Sequence, residues 1–188
     1  MRSITEHERN KYEQIWGLDD YSICSPGLLY VDMFYDIAKP VVGQSVLDVG
    51  AGGGVATREL KKRGLSSRGF DITNAGWKHK DIPLSTGCIW RDLPQGPPYD
   101  YVYCCDVMEH IPTEFTALSI SEMLRTCGKA FYSISFTQDA YGDFINDHLH
   151  LTVKPFTWWR DMLRELGTVY EARDLLGDGV FYVGRQKV

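Results

Sequence analysis

No hydrophobic run in the 188-residue chain approaches the length of about 20 residues that a membrane-spanning helix needs. The opening stretch from Met1 to Asn10 is charged and has no apolar signal core, so a cytoplasmic protein without a membrane partner is expected. Five cysteines (Cys24, Cys88, Cys104, Cys105 and Cys127) are an odd number without Cys-x-x-Cys spacing. That indicates neither a zinc site nor a disulfide framework, and it fits a reducing compartment. Basic residues are not in excess: 20 Lys and Arg face 25 Asp and Glu, for a net charge of −5. Attachment to nucleic acid through a broad basic surface is therefore not indicated, although a local patch stays possible. The cluster Arg58, Lys61, Lys62, Arg63 and Arg68 reads as the wet face and C-terminal end of a helix. Internal repeats and low-complexity tracts are also missing. With 44% hydrophobic and 13% aromatic residues, residues 1–188 suit one domain with a full core.

What the chain does contain is a run from Ser45 to Leu60 reading SVLDVGAGGGVATREL. An apolar strand enters a turn with Gly50, Gly52, Gly53 and Gly54, then a helix that points Val55, Ala56 and Leu60 toward the core. Glycine allows a sharp turn in which a ligand touches bare backbone. The N–H groups opening the next helix favour the negative end of that ligand. Asp48 lies in the apolar strand end, where a charge needs a partner, and a cationic ligand group would supply one.

Here the sequence resembles the class I S-adenosylmethionine (SAM) methyltransferases, whose first motif is a strand ending Leu-Asp-Val-Gly followed by Gly-x-Gly. The spacing is Gly50-x-Gly52-x-Gly54, whereas the dinucleotide fingerprint would need glycine where Val55 stands. The turn carries no lysine or arginine, as suits a cofactor without phosphate. Asp71 ends the second expected strand, 23 residues after Asp48. In a parallel βαβ unit an acid there lies beside the ligand and can accept both ribose hydroxyls, a role the resemblance also assigns. A second match is Asp106-Val-Met-Glu-His-Ile-Pro112, similar to the family's acidic Glu-His-Ile/Val-Pro stretch after strand four.

The resemblance implies a SAM site built from Asp48, Gly50, Ala51, Gly52 and Gly54, with Asp71 and Ile72 at the ribose. Arg91, Asp92 and Leu93 are implied at the adenine, where the Asp92 carboxylate would take the amino group. Cys105, Asp106, Val107 and His110 are implied at the methionine end, with Tyr21 and Ser25 as candidates from a covering loop. Cys104 and Cys105 lack the preceding proline of the cytosine carbon-5 enzymes and read as buried small residues.

The loop from Phe136 to Lys154 follows a strand whose end faces the site and carries Tyr141, Asp143, Asp147, His148 and His150. Lying two apart, His148 and His150 share a face if the segment is extended. Either is expected to be the base that deprotonates an acceptor, with His110 behind them. Two histidines are a thin ligand set, and no metal is expected.

The elements expected around these motifs are an amphipathic helix within residues 1–20, with Trp16 packed, and a helix from Leu28 to Lys39 closed by Pro40. Further on come a third strand at Gly87–Trp90, a fourth at Tyr99–Cys105, and a helix at Thr113–Arg125 capped by Thr113 and ended by Gly128. A fifth strand at Lys129–Ser135, a helix at Pro155–Leu166 and paired strands at Thr168–Arg173 and Gly179–Arg185 follow. Together they predict a three-layer α/β/α sandwich, Rossmann-like, with a seven-stranded, mostly parallel sheet and an antiparallel C-terminal hairpin. Residues 1–44 form a helical cap and 136–154 a substrate loop. Methyl transfer from SAM to an O or N atom of a small molecule is the function implied. The alternatives are a non-catalytic SAM-binding subunit, a nucleic-acid methyltransferase and an NAD-dependent oxidoreductase.

Overall fold

The computed structural model describes residues 3–22 and 25–186, which leaves Cys24 and part of the Tyr21–Gly27 turn outside the described residues. Seven strands form one sheet: β1 (Ser45–Val49), β2 (Ser66–Asp71), β3 (Leu84–Thr86), β4 (Tyr99–Cys105), β5 (Cys127–Ser135), β6 (Gly167–Asp174) and β7 (Asp178–Arg185). Their order is β3-β2-β1-β4-β5-β7-β6. Pairs from β3 to β5 are parallel, and β7 runs antiparallel to both β5 and β6. Strands β1 and β4, adjacent in space but not in sequence, mark the switch point where such sheets hold ligands beyond their carboxyl ends.

Alternation along the strands builds the two faces. In β4, Val102 and Cys104 join one buried cluster while Tyr101, Tyr103 and Cys105 join the other. The first face is covered by Ile120, Met123 and Leu124 of α6 (Thr113–Thr126) and by Trp159 and Leu163 of α7 (Phe156–Leu166). The second is covered by Val31 and Phe34 of α4 (Val31–Ala38) and by Ala56 and Leu60 of α5 (Val55–Lys62). Helix α1 (Ile4–Ile15) opens with a capping box between Ser3 and Glu6, and its Arg9 Nε donates to the Ile72 carbonyl at 3.3 Å. A short α2 (Asp19–Ser22) follows it.

Four boundaries differ from expectation, each for a local reason. The helix expected over Leu28–Lys39 is split into α3 (Pro26–Leu29) and α4 at Tyr30, a turn residue whose N–H donates to the Gly27 carbonyl at 3.3 Å. The Tyr103 hydroxyl donates to the Gly27 carbonyl and anchors the first piece to the sheet. The third strand is Leu84–Thr86 rather than Gly87–Trp90, because the chain turns at Cys88, whose carbonyl accepts the N–H groups of Arg91 and Asp92 at 3.0 and 2.7 Å. Helix α6 runs directly into β5, so Gly128 lies inside the strand and not at the helix end. Burial of Cys127 and its pairing with Tyr99 pull the backbone into extended geometry one residue earlier. Thr113 is the first helical residue instead of the cap, its hydroxyl being shared with Thr152 at 2.8 Å.

No helix among the described residues is long and apolar enough to cross a membrane. The described cysteines (Cys88, Cys104, Cys105 and Cys127) are free and buried.

Candidate active site

The glycine turn after β1 needs glycine at more than one place. Gly50 has φ of +74°, and a Cβ there would lie 2.2 Å from a Val107 methyl. Gly52 has φ of +51°, and its Cβ would meet the Trp16 indole at 2.8 Å. The N–H groups of Gly50 and Ala51 donate to the Phe70 carbonyl at 2.8 and 3.1 Å, which ties the turn to β2. Asp71 completes the brace, its Oδ2 accepting the Gly52 N–H at 2.8 Å and its Oδ1 the Thr73 N–H at 3.2 Å. Burial nonetheless raises the Asp71 carboxyl above its ordinary value.

Asp48 is 4% exposed and accepts the Thr57 hydroxyl at 2.6 Å. Burial pushes its pKa up to about 7 despite that bond, and the nearby Asp71 adds to the rise. Beyond β4, Asp106 sits in left-handed backbone geometry at φ of 60°, with its N–H donating to Ser133 at 2.9 Å. Glu109 is fully buried; its Oε1 accepts the Ser135 N–H at 2.8 Å, and its carbonyl accepts Leu151 and Thr152, each at 2.8 Å. Burial, then the neighbouring Asp106, hold the Glu109 carboxyl well above its ordinary range.

These groups surround two joined clefts that share Trp16, Tyr21, Gly50, Gly52, Asp106 and His110. The first, an open cleft of about 650 Å³ counting the solvent at its mouth, is lined by Glu8 and Asp71, with Ile72, Ile89, Trp90 and Ile111 as apolar wall. The second, also open and about 810 Å³ counting the solvent at its mouth, is lined by Asp48, Asp139, Tyr141 and His150 among others. Asp139 organises the loop behind it by accepting the N–H groups of Gly142 at 2.7 Å and of Leu149 and His150 at 3.2 Å each.

The two imidazoles meet edge to face, their centroids 4.6 Å apart. His110 Nδ1 lies 3.1 Å from the Leu149 carbonyl, and His150 Nδ1 bonds the Thr137 carbonyl. A carbonyl oxygen can only accept, so each neutral ring carries its proton on Nδ1 and keeps a lone pair on Nε2. Burial, then the neighbouring His150, push the His110 pKa down to about 3, so it stays neutral. Glu109, His110 and His150 also bring one potential metal-ligating atom each to within 4.8 Å of one another.

A family model described as a methyltransferase domain matches residues 29–177. The chain belongs to this methyltransferase domain family. Among curated proteins it is 28% identical over 153 residues to a ubiquinone biosynthesis O-methyltransferase of Chromobacterium violaceum, covering 71% of this chain and 64% of that one. It is 29% identical over 108 residues to the Acinetobacter baylyi protein of the same name, covering 51% of this chain and 45% of that one. The chain thus spans less than two thirds of the length of these relatives. Among solved structures, the magnesium protoporphyrin IX methyltransferase of Synechocystis with bound SAH superposes with a TM-score of 0.63 at 16% identity. That match covers 99% of this chain and 89% of the other. Phosphoethanolamine N-methyltransferase 2 of Haemonchus contortus, in complex with SAM, has a TM-score of 0.70 at 14% identity, covering 95% and 57%. At such identities these neighbours speak to the fold, which is the Rossmann-like sandwich expected from the sequence.

In this methyltransferase domain the cleft walls include Tyr21, Ser25, Asp48, Gly50, Ala51, Gly52, Asp71, Ile72, Cys105, Asp106, Val107, His110 and His150. Gly54 stands behind the turn as the residue opening α5 at φ of +77°, packed on Trp77 and His79. Three residues expected at the adenine are turned elsewhere. Asp92 accepts the Cys88 N–H at 3.0 Å and the Arg91 guanidinium at 2.9 and 3.0 Å, while Leu93 is buried in the core. Ile89 and Trp90, just before them, line the first cleft instead. His148 is exposed and contributes its backbone: its N–H donates to Asp147 and its carbonyl accepts from Lys11. The segment is not an extended strand, and of the two histidines only His150 lines the cleft, against the His110 ring.

Glu8 and Tyr12 were not legible as wall residues, and Trp16 read as simple packing. Their i, i+4, i+8 spacing puts them on one side of α1, a signal that sequence alone cannot aim at a cleft.

Proposed function

We propose that this methyltransferase domain moves the methyl group of SAM to an oxygen or nitrogen of a small acceptor, with His150 as the base. One observation carries the reading: a continuous cleft beyond β1, β2 and β4 has the braced glycine turn and Asp71 at one end and His150 at the other. The sulfonium methyl is already an electrophile, so the protein's task is to align donor and acceptor and take up a proton where the acceptor carries one. His150 is suited to that step because its ring is half-buried in the wall, held through Nδ1, with Nε2 available. Asp48 and Asp106 line the cleft where the cationic methionine end would sit, and a cation there would favour their ionised forms over the neutral ones that burial favours.

The second cleft is walled by Asp48, Asp106 and Asp139, with no lysine or arginine among its described residues. That favours an acceptor that is neutral or cationic where it reacts, over a carboxylate or phosphate. The names of the curated relatives favour a hydroxyl oxygen.

Calorimetric titration with SAM, S-adenosylhomocysteine (SAH) and NAD in parallel tests the cofactor. Micromolar binding of SAM or SAH without NAD supports the reading, and NAD binding alone removes it. A radiolabelled-methyl screen of phenols, amines and carboxylates then tests the acceptor, and transfer only to carboxylates would sink the assignment of class.

A further inference from the structure

Helix α1 carries a buried ion pair that the transfer reaction does not itself need. Glu8 and Lys11 bond to each other with side chains only 5% and 1% exposed, one turn apart. A buried pair of this kind rarely adds stability over apolar packing, which raises the question of what else it does.

Its two ends reach different places. Glu8 lines the first cleft together with Asp71, Ile72, Ile89 and Trp90. One turn further along the same face, the buried Tyr12 hydroxyl also lines that cleft and has no partner among the described residues. The same Lys11 Nζ that meets Glu8 also donates at 2.9 Å to the carbonyl of His148, two residues before His150. Beside it, His7 Nε2 meets the Asp147 carboxylate at 3.0 Å. The cap and the acceptor loop are therefore joined where the cap also faces the cofactor cleft.

We propose that Glu8 is a contact for the adenosine half of the cofactor and that Lys11 passes that contact to the loop 139–150, so that cofactor binding orders the loop carrying His150. The inference rests on the SAM reading above. A carboxylate accepts the hydroxyl and amino hydrogens that adenosine offers, and Asp71, already bonded to two backbone N–H groups, has limited capacity to take them all. An oriented Glu8 also holds Lys11, and Lys11 holds the His148 carbonyl. Filling the cleft then favours the arrangement in which the loop is closed.

The test needs no acceptor. SAH affinity is measured by calorimetry, and backbone exchange across 139–150 by hydrogen–deuterium exchange, in the wild type, Glu8→Gln and Lys11→Met. In the wild type, SAH should slow exchange across the loop severalfold. Glu8→Gln should weaken SAH binding about tenfold. Lys11→Met should bind SAH within about threefold of the wild type yet lose the slowing. Wild-type affinity in Glu8→Gln overturns the contact, and wild-type loop slowing in Lys11→Met overturns the relay. Failure of the wild type itself to bind SAH instead removes the cofactor reading on which both depend. Because either single change leaves one charge buried alone, the Glu8→Gln/Lys11→Met double variant is made as well. It should combine the weak binding of the first with the unresponsive loop of the second, and wild-type behaviour in it refutes the proposal without either single variant.

Discussion

The Oδ2 of Asp71 accepts the N–H of Gly52 at 2.8 Å, so the acid closing β2 holds the tip of the turn that follows β1. One side chain thus shapes the backbone cradle while facing the same cleft. Asp71→Ala should weaken SAH binding at least tenfold, and Asp71→Asn by less, because the amide oxygen still accepts one N–H. Equal affinity for all three proteins in calorimetry would remove Asp71 from the site.

Asp48 gives the stability a pH dependence of unusual sign for an acid. Its folded-state pKa of about 7 lies above its ordinary value of 3.8, so the folded protein binds the proton more tightly than the unfolded chain. Stability from this group is present below about pH 4 and is lost as pH rises to about 7. Asp48→Asn keeps an oxygen for the Thr57 hydroxyl and should flatten that slope. Thermal melts of the ligand-free protein between pH 5 and 8 should show the wild type falling relative to the variant; parallel curves would contradict the assignment.

Gly50→Ala should be severe. Its Cβ would need left-handed geometry and sit 2.2 Å from Val107. Strain and overpacking together suggest a loss of about 2–4 kcal/mol. Urea denaturation reads that loss, and a change below about 0.5 kcal/mol would show that the turn can open at little cost.

The two loop histidines should separate cleanly. His148→Ala removes an exposed ring while keeping both backbone bonds, so stability and turnover should stay near wild type. His150→Ala should lower kcat at least a hundredfold on an acceptor that must lose a proton, with SAH affinity intact. The reverse ranking would move the base to His148.

Asp92→Ala provides a control for the adenine end. It removes the carboxylate that closes the Cys88–Asp92 turn, so a modest drop in Tm is expected while SAH affinity stays within about threefold. A tenfold loss would return Asp92 to the cofactor.

Sequence reading went furthest where one residue type has one physical reason. Leu-Asp-Val-Gly with glycines two apart dictates strand, turn and helix, and the structure has β1, the turn and α5 in that order. Apolar alternation gave β4, β5 and the hairpin nearly to the residue. That Ile89 and Trp90 rather than Asp92 line the first cleft was less accessible, because Asp92 has a local partner in the adjacent Arg91 and a contact with a neighbour in sequence leaves no mark in spacing. The His148 and His150 assignment assumed an extended backbone. A loop closed by three N–H bonds to Asp139 obeys no such period. Glu8 and Lys11 look on paper like an ordinary solvated helical pair, and only the packing of α1 against the clefts and the loop buries them.

The chain is spent unevenly between the two rims of the sheet. On the rim away from the clefts, α6 passes into β5 and α7 into β6 with no residue between, and α5 reaches β2 through residues 63–65 alone. On the cleft rim, residues 136–155 separate β5 from α7. Spare length for evolutionary change is therefore concentrated in the loop that walls the second cleft. Insertions and loop grafts in 136–155 would reshape that wall while the scaffold stays intact, whereas even a two-glycine insertion between Thr126 and Cys127 would throw a central strand out of step.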